Sequence, residues 1–295
     1  MIPSVLVFGS LNLDLILNVP HLPRAGETMH SLGFARQPGG KGANQAAACA
    51  SLGTSTHMVG AVGADEAGVF MRLALSDRGT DVSAVRVVDG VATGQAYIHV
   101  APDGENTITL HGGANQEVGQ AELEALDAAL QHAKALMLQL EIPMQVNVQA
   151  AQKAHEAGVT VILDPAPAVE KLPAELLEFV DILTPNEHEA QTLTGESDAF
   201  TAAQSLLSLG VKHVILKRGS KGALLMNVDG AREFSAPAVN VISTVAAGDT
   251  FNGALVSALS QGESLTEATN FAIRTASLRV SLPPGYANLP TRRSL

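Results

Sequence analysis

Ala246-Ala247-Gly248-Asp249-Thr250-Phe251-Asn252-Gly253 sets one carboxylate among small residues at the opening of a helical pattern. Small residues there leave an anion-sized space at the positive end of the helix dipole. A carboxylate beside that space suits a general base: Asp249 would accept a hydroxyl proton while backbone N–H groups hold charge developing on a transferred phosphoryl group. The same residues also suit an ordinary Asp cap on a closely packed helix.

Three further runs carry polar groups at useful spacings. Pro38-Gly39-Gly40-Lys41-Gly42-Ala43-Asn44-Gln45-Ala46 opens an Ala-rich helix, and its glycines allow close backbone approach and leave free N–H groups for a sugar or phosphate. It is no dinucleotide fingerprint, because Gln45 stands where a third Gly or Ala belongs, and no P-loop, because Gly42 follows Lys41. A plain tight helix entry is the alternative. Gly9-Ser10-Leu11-Asn12-Leu13-Asp14 places Asn12 and Asp14 two apart, on one face of an extended segment, an amide and a carboxylate suited to vicinal sugar hydroxyls. Turn-forming Asn and Asp at a strand end read the same way. Thr184-Pro185-Asn186-Glu187-His188-Glu189 fits a capping box, or an amide and carboxylate near a solvated Mg²⁺, an ion that keeps several waters. Glu141, directly after the apolar run Leu136–Leu140, stands at a strand's carboxyl end, where α/β sheets place ligand groups, unless it is a solvated loop acid.

Other chemistries lack their residues. No His-Glu-x-x-His and no Gly-x-Ser-x-Gly elbow occurs, and the single cysteine, Cys49, builds neither a thiolate zinc site nor an internal disulfide. A net charge of −11 repels phosphate backbones and anionic lipid, and 3% aromatic residues give no base-stacking platform, so nucleic acid and membrane are not expected partners. Met1 to Ser10 lacks a basic lead, and apolar stretches such as Ala135 to Leu138 fall far short of the roughly 18 residues of a membrane span. The expectation is a cytoplasmic protein.

The elements that must position these groups read as α/β. Val5–Phe8, Leu136–Leu140, Val159–Leu163, Val180–Leu183 and Val214–Lys217 are short and apolar throughout, the pattern of strands buried on both faces of a mainly parallel sheet. Ala43–Leu52, Glu66–Arg78, Ala121–Ala133, Val146–Glu156, Glu187–Leu193 and Thr250–Leu259 read as the flanking helices. Ile16–Arg36, with turn signals and no helix, and Thr93–His111, two strands around Pro102-Asp103-Gly104, break the rhythm and predict a small second sheet inserted into one domain spanning residues 1–295.

The motifs around Gly9, Gly39, Asp164-Pro165-Ala166-Pro167, Thr184 and Ala246 occur in one order that resembles the ribokinase-like carbohydrate kinases, from about Gly9 to Pro290. The resemblance implies a Rossmann-like domain with a small β-sheet lid over the sugar, formed by insertions 16–36 and 93–111 and often making a homodimer contact. It implies that Asn12, Asp14, Gly40, Lys41, Asn44 and Glu141 hold the sugar, and that Asn186 and Glu189 organise Mg²⁺ and phosphates. Lys217-Arg218-Gly219-Ser220-Lys221-Gly222 resembles the nucleotide-side loop, although its charged start departs from the family; Lys217, Gly219, Gly222, Asn186, Ala247 and Gly248 would face the nucleotide. Gly248 would help form the anion hole and Asp249 would be the base. The implied activity is ATP-dependent transfer of the γ-phosphoryl group to O5 of D-ribose. Deoxyribose, a nucleoside or another furanose is the alternative acceptor, and a non-catalytic sugar sensor the alternative of another class. The family's monovalent-cation site uses an Asp six positions before the base, here Ser243, and Leu282-Pro283-Pro284-Gly285-Tyr286-Ala287-Asn288 replaces a basic Gly-Ala loop. Weak or absent potassium activation follows.

Overall fold

Aliphatic runs with no polar alternation are stable only where both faces of a sheet are covered, and that is where this chain puts them. The structure is a computed structural model and describes residues 5–295, so the beginning of the Met1–Ser10 stretch lies outside the described residues. The strands are β1 (Val5–Phe8), β2 (Asn12–Asn18), β3 (Gly33–Gly39), β4 (Thr56–Gly63), β5 (Thr80–Val88), β6 (Gly94–Val100), β7 (Asn106–His111), β8 (Ala135–Leu138), β9 (Thr160–Leu163), β10 (Ile182–Leu183), β11 (His213–Lys217), β12 (Ala223–Asn227) and β13 (Gly230–Phe234). The helices are α1 (Lys41–Ser51), α2 (Glu66–Ser76), α3 (Gln120–Leu130), α4 (Met144–Glu156), α5 (Ala174–Leu177), α6 (Glu187–Thr194), α7 (Ala199–Leu207), α8 (Ala247–Ser260) and α9 (Leu265–Val280).

The large sheet runs β13-β12-β11-β10-β9-β8-β1-β4-β5 and is parallel except at β12, which pairs antiparallel with both neighbours. Strand β1 shows why it is buried on two sides. Val5 and Val7 pack with α1 and α8 residues such as Ala43, Ala47 and Phe251, while Leu6 and Phe8 pack with Leu123, Leu126 and Val148 of α3 and α4. A period of two therefore feeds two separate cores.

The small sheet runs β3-β2-β6-β7. It is mixed: β2 lies antiparallel to β3 but parallel to β6, and β6 returns antiparallel through the Pro102-Asp103-Gly104 turn into β7. Strand β2 begins at Asn12, ahead of the expected Ile16, because its hydrogen bonding to Gly39 and Gly94 starts there. Asn12 and Asp14 thus lie within a strand, not in a turn. Helix α8 likewise begins at Ala247, three residues before the expected Thr250, which puts Gly248 and Asp249 in its first turn. No helix among the described residues is long and apolar enough to cross a membrane.

Candidate active site

The polar groups singled out above gather beyond the carboxyl ends of β1, β8, β9, β10 and β11, the edge where open α/β sheets bind ligands. Strand β2 carries Asn12 and Asp14 into this edge from the small sheet, and α1 and α8 point their first turns at it.

At the start of α1, Gly40 has φ 85°, and a side chain there would put a Cβ 2.7 Å from the backbone nitrogen of Asn12, so only glycine lets helix and strand approach this closely. The expected free N–H groups of this helix are not open to a phosphate. Lys41 N donates to Glu141 Oε2 at 3.0 Å, Gly42 N to Ser10 Oγ at 3.3 Å and Ala43 N to Ser10 O at 2.9 Å. Glu141 is therefore no solvated loop acid: Ser10 Oγ (2.5 Å) and Asn12 Nδ2 (3.5 Å) donate to the same carboxylate oxygen. Asn115, which no sequence motif marked, fixes Asn12 by donating to its Oδ1 at 2.7 Å.

Asp14 is half-buried, and its carboxylate accepts no hydrogen bond from the described residues. Burial, with Glu141 and Asp249 adding repulsion, pushes its pKa up to about 7.

Asp249 is held from two sides. Asn44 Nδ2 donates to Oδ2 at 2.9 Å and Gln45 Nε2 to Oδ1 at 3.2 Å. The α8 cap is Ala246, with no side-chain capping bond, so Asp249 does not serve as the helix cap. Burial pushes its pKa up to about 6, with Lys41 opposing and Asp164 reinforcing the shift. Ala246 itself sits at φ 57°, a left-handed conformation that costs a non-glycine residue energy, at the turn that delivers Gly248 and Asp249. The backbone N–H groups of Gly248 and Asp249 have no partner among the described residues. Two unpartnered N–H groups thus stand beside a carboxylate of raised pKa, an arrangement that suits an anion.

Gln45, which rules out a dinucleotide fingerprint in the sequence and is assigned no role there, ties the site together. Its Nε2 also donates to Asp164 Oδ2 at 2.9 Å and its Oε1 accepts from Gln139 Nε2 at 2.7 Å. Asp164 in turn pairs with Lys217 Nζ at 2.8 Å, which accounts for the charged start of the Lys217 loop. Arg218 pairs outward with Glu233 at 2.5 Å. Burial pulls the Lys41 ammonium down, but Asp249, Asp164, Glu141 and Glu189 outweigh it and hold the pKa above its ordinary value.

Asn186 and Glu189 form the full capping box of α6. Asn186 N and Nδ2 donate to the two Glu189 oxygens at 2.8 and 2.7 Å, and Glu189 N donates back to Asn186 Oδ1 at 2.8 Å. Burial raises the Glu189 pKa, against the pull of Lys217.

On the far side of Gly248 lies a cleft of about 710 Å³ whose edge includes Lys217, Gly219, Gly222, Ala247 and Gly248. Gly222 (φ 91°) allows its loop to fold against Phe234, whose carbonyl would lie 1.9 Å from an added Cβ. The opposite walls, Val239, Val241, Phe251 and Ile273, are apolar, and of these only Phe251 lies in a motif. A flat apolar group with a charged tail fits such a cleft.

The chain is similar to known carbohydrate kinases along its length. The model of the pfkB family carbohydrate kinases matches residues 3–292. Ribokinase of Haemophilus influenzae is 37% identical, covering 98% of this chain and 96% of its own. Deoxyribokinase of Salmonella typhi is 32% identical over 94% of this chain and 92% of its own. The solved structure of Arabidopsis thaliana ribokinase complexed with ribose and ATP superposes with a TM-score of 0.92 at 38% identity, covering 100% of this chain and 97% of that one.

Proposed function

The chain belongs to the pfkB family of carbohydrate kinases, and from that premise we propose that it is an ATP-dependent ribose kinase that phosphorylates O5. One observation carries the reading: Asp249 stands beside two open backbone N–H groups, between the Asn12–Asp14–Glu141 cluster and the cleft edged by Lys217, Gly219 and Gly222. The sugar binds in the cluster under the small sheet, held by Asn12, Asp14, Gly40, Lys41, Asn44 and Glu141. Asp249 takes the hydroxyl proton as the phosphoryl group arrives, and the N–H groups of Gly248 and Asp249 receive its charge. Asn44 and Gln45 keep the carboxylate aimed.

The donor set suits Mg²⁺ held through water. Asp14, Glu141, Asp164, Glu189 and Asp249 outnumber the ammonium groups of Lys41 and Lys217 among which they lie, so the site carries excess negative charge. The Glu189 oxygens keep lone pairs beyond those Asn186 occupies, and Asn186 with Glu189 would hold a metal-bound water. When bound with the nucleotide, Mg²⁺ neutralises phosphate oxygens.

ADP release across ribose, 2-deoxyribose, other furanoses and nucleosides tests the activity, beside ATP-free binding. Ribose turnover is the expected result. Turnover of another acceptor alone would replace ribose, and tight binding without turnover would make the protein a sensor.

Potassium should add little. Ser243 offers a neutral hydroxyl, already 3.3 Å from Val245 N, and the Leu282 and Pro283 carbonyls accept from Arg279 at 3.2 and 2.9 Å. With ~100 mM KCl exchanged for NaCl at constant ionic strength, kcat/KM should stay nearly level. A large potassium-selective gain would refute this.

The small sheet should serve as a lid and pair with a second copy. Its Asp14 face continues into exposed Ile108 and Leu110, and its other face exposes Phe34 and Tyr97; Ile98 is half-buried beside its strand partners Ile16 and Ile108. Small sheets with free edges and apolar faces are weak alone. Light scattering at micromolar concentration should give a dimer, and a fully active monomer would count against it.

A further inference from the structure

The largest of the fully buried side chains belongs to a cation, Arg279, 1% exposed in the last turn of α9. Among the described residues it has no carboxylate partner. Its Nη1 donates to the carbonyls of Leu282 and Pro283, and its Nε has no partner among the described residues. A buried guanidinium stays charged, and desolvating it without an acid is costly, so two carbonyls and the negative end of α9 offset only part of the penalty.

Its position gives that charge a use. Arg279 lines a narrow cavity together with Asp14, Asn44, Val245, Ala246 and Tyr286. Asp14 is a sugar-side carboxylate, Ala246 is the strained residue before the anion site, and Tyr286 Oη donates to Asn44 Oδ1 at 3.1 Å, behind the amide that holds Asp249. The next residue, Val280, accepts from Ile242 N at 2.7 Å and Ser243 N at 3.1 Å. One helix end thus grips both the segment entering α8 and the segment carrying Tyr286. The remaining titratable groups facing this cavity, Asp14 and Tyr286, leave Arg279 as its one permanent cation among the described residues.

We propose that Arg279 is a positioning residue for phosphoryl transfer: it braces the Ser243–Ala246 turn against the Leu282–Tyr286 loop and fixes a positive charge behind the anion site. The proposal rests on the kinase reading, and the wild-type enzyme assayed in parallel separates the two, since absent wild-type turnover overturns that reading and not the role of the variant position.

The test compares Arg279→Ala, Arg279→Gln and Arg279→Lys in the full-length protein. Gln keeps N–H donors for the two carbonyls without the charge, and it gives the measurement if the Ala variant does not fold. Because misplacing reacting groups from a distance costs up to ~10²-fold, kcat of the Ala and Gln variants should fall about 10- to 100-fold while the ATP-free ribose Kd moves less than about 2-fold. Lys should keep more activity than Gln, and millimolar guanidinium chloride should raise kcat of the Ala variant and not of the wild type. A folded Gln variant with kcat within about 2-fold of wild type, or a ribose Kd that weakens in step with kcat, would overturn the proposal. So would a fallen kcat that neither Lys nor guanidinium restores.

Discussion

Replacing Asp249 with Asn should lower kcat by about 10²–10⁴-fold and leave ribose binding nearly intact. The amide keeps the shape and one acceptor for Gln45 Nε2, and a turn of the Asn44 amide, whose other partner is the adaptable hydroxyl of Tyr286, accommodates the new N–H₂. What is lost is the ability to accept a proton. A near-normal kcat would remove Asp249 from the role of base. The raised pKa adds two checks. In the wild type, a base with a free-site pKa of about 6 is protonated below that value, so kcat/KM should fall as pH drops through about 6. Stability runs the opposite way: the folded form binds the proton more tightly than the unfolded form, so ionising Asp249 as pH rises from about 4 to 6 destabilises the fold. The Asn variant escapes this, and its Tm should exceed that of the wild type above pH 7, with the gap closing near pH 4.

The sequence disclosed those parts of the site whose partners are near in sequence or whose motif is compact. Val5–Phe8 reads as a strand covered on both faces, and Asn186 with Glu189 fits a capping box beside its metal-side alternative, because both depend on local spacing. The central hydrogen bonds are of another kind. Gln45 reaches Asp164 and Asp249 across 119 and 204 positions, and Tyr286 reaches Asn44 across 242, so no window of sequence contains the pair. Strand β4 is hidden in the sequence because Gly60 and Gly63 interrupt its apolar pattern, and α9 because small and polar residues lie along its contact with α8. Arg279 reads in isolation as a solvated basic residue at a helix end; only packing shows it buried. The N–H groups of α1 illustrate the converse, since spacing showed that they begin a helix but not that Ser10 and Glu141 consume them.

Ribose should be used more efficiently than 2-deoxyribose, by roughly 5–150-fold in kcat/KM, because removing one hydroxyl leaves a buried polar group unpaired at a cost of about 1–3 kcal/mol. The expectation falls on Asn12 and Asp14, which differ in how they are prepared. Asn12 is already fixed by Asn115 and Glu141, so it offers a set geometry. Asp14 is unsatisfied: its carboxylate is drawn out of water, repelled by Glu141 and Asp249, and given no donor by the described residues. A pair of vicinal hydroxyls supplies the missing donors and stabilises the ionised form, so ribose should lower the Asp14 pKa from about 7 on binding. A sugar lacking one of the two hydroxyls supplies half of that. Asp14→Asn should therefore raise KM for ribose more than it lowers kcat, and narrow the gap between the two sugars. Equal efficiency on ribose and 2-deoxyribose in the wild type would show that this carboxylate reads neither vicinal hydroxyl, and would make deoxyribose an equal claimant to the site.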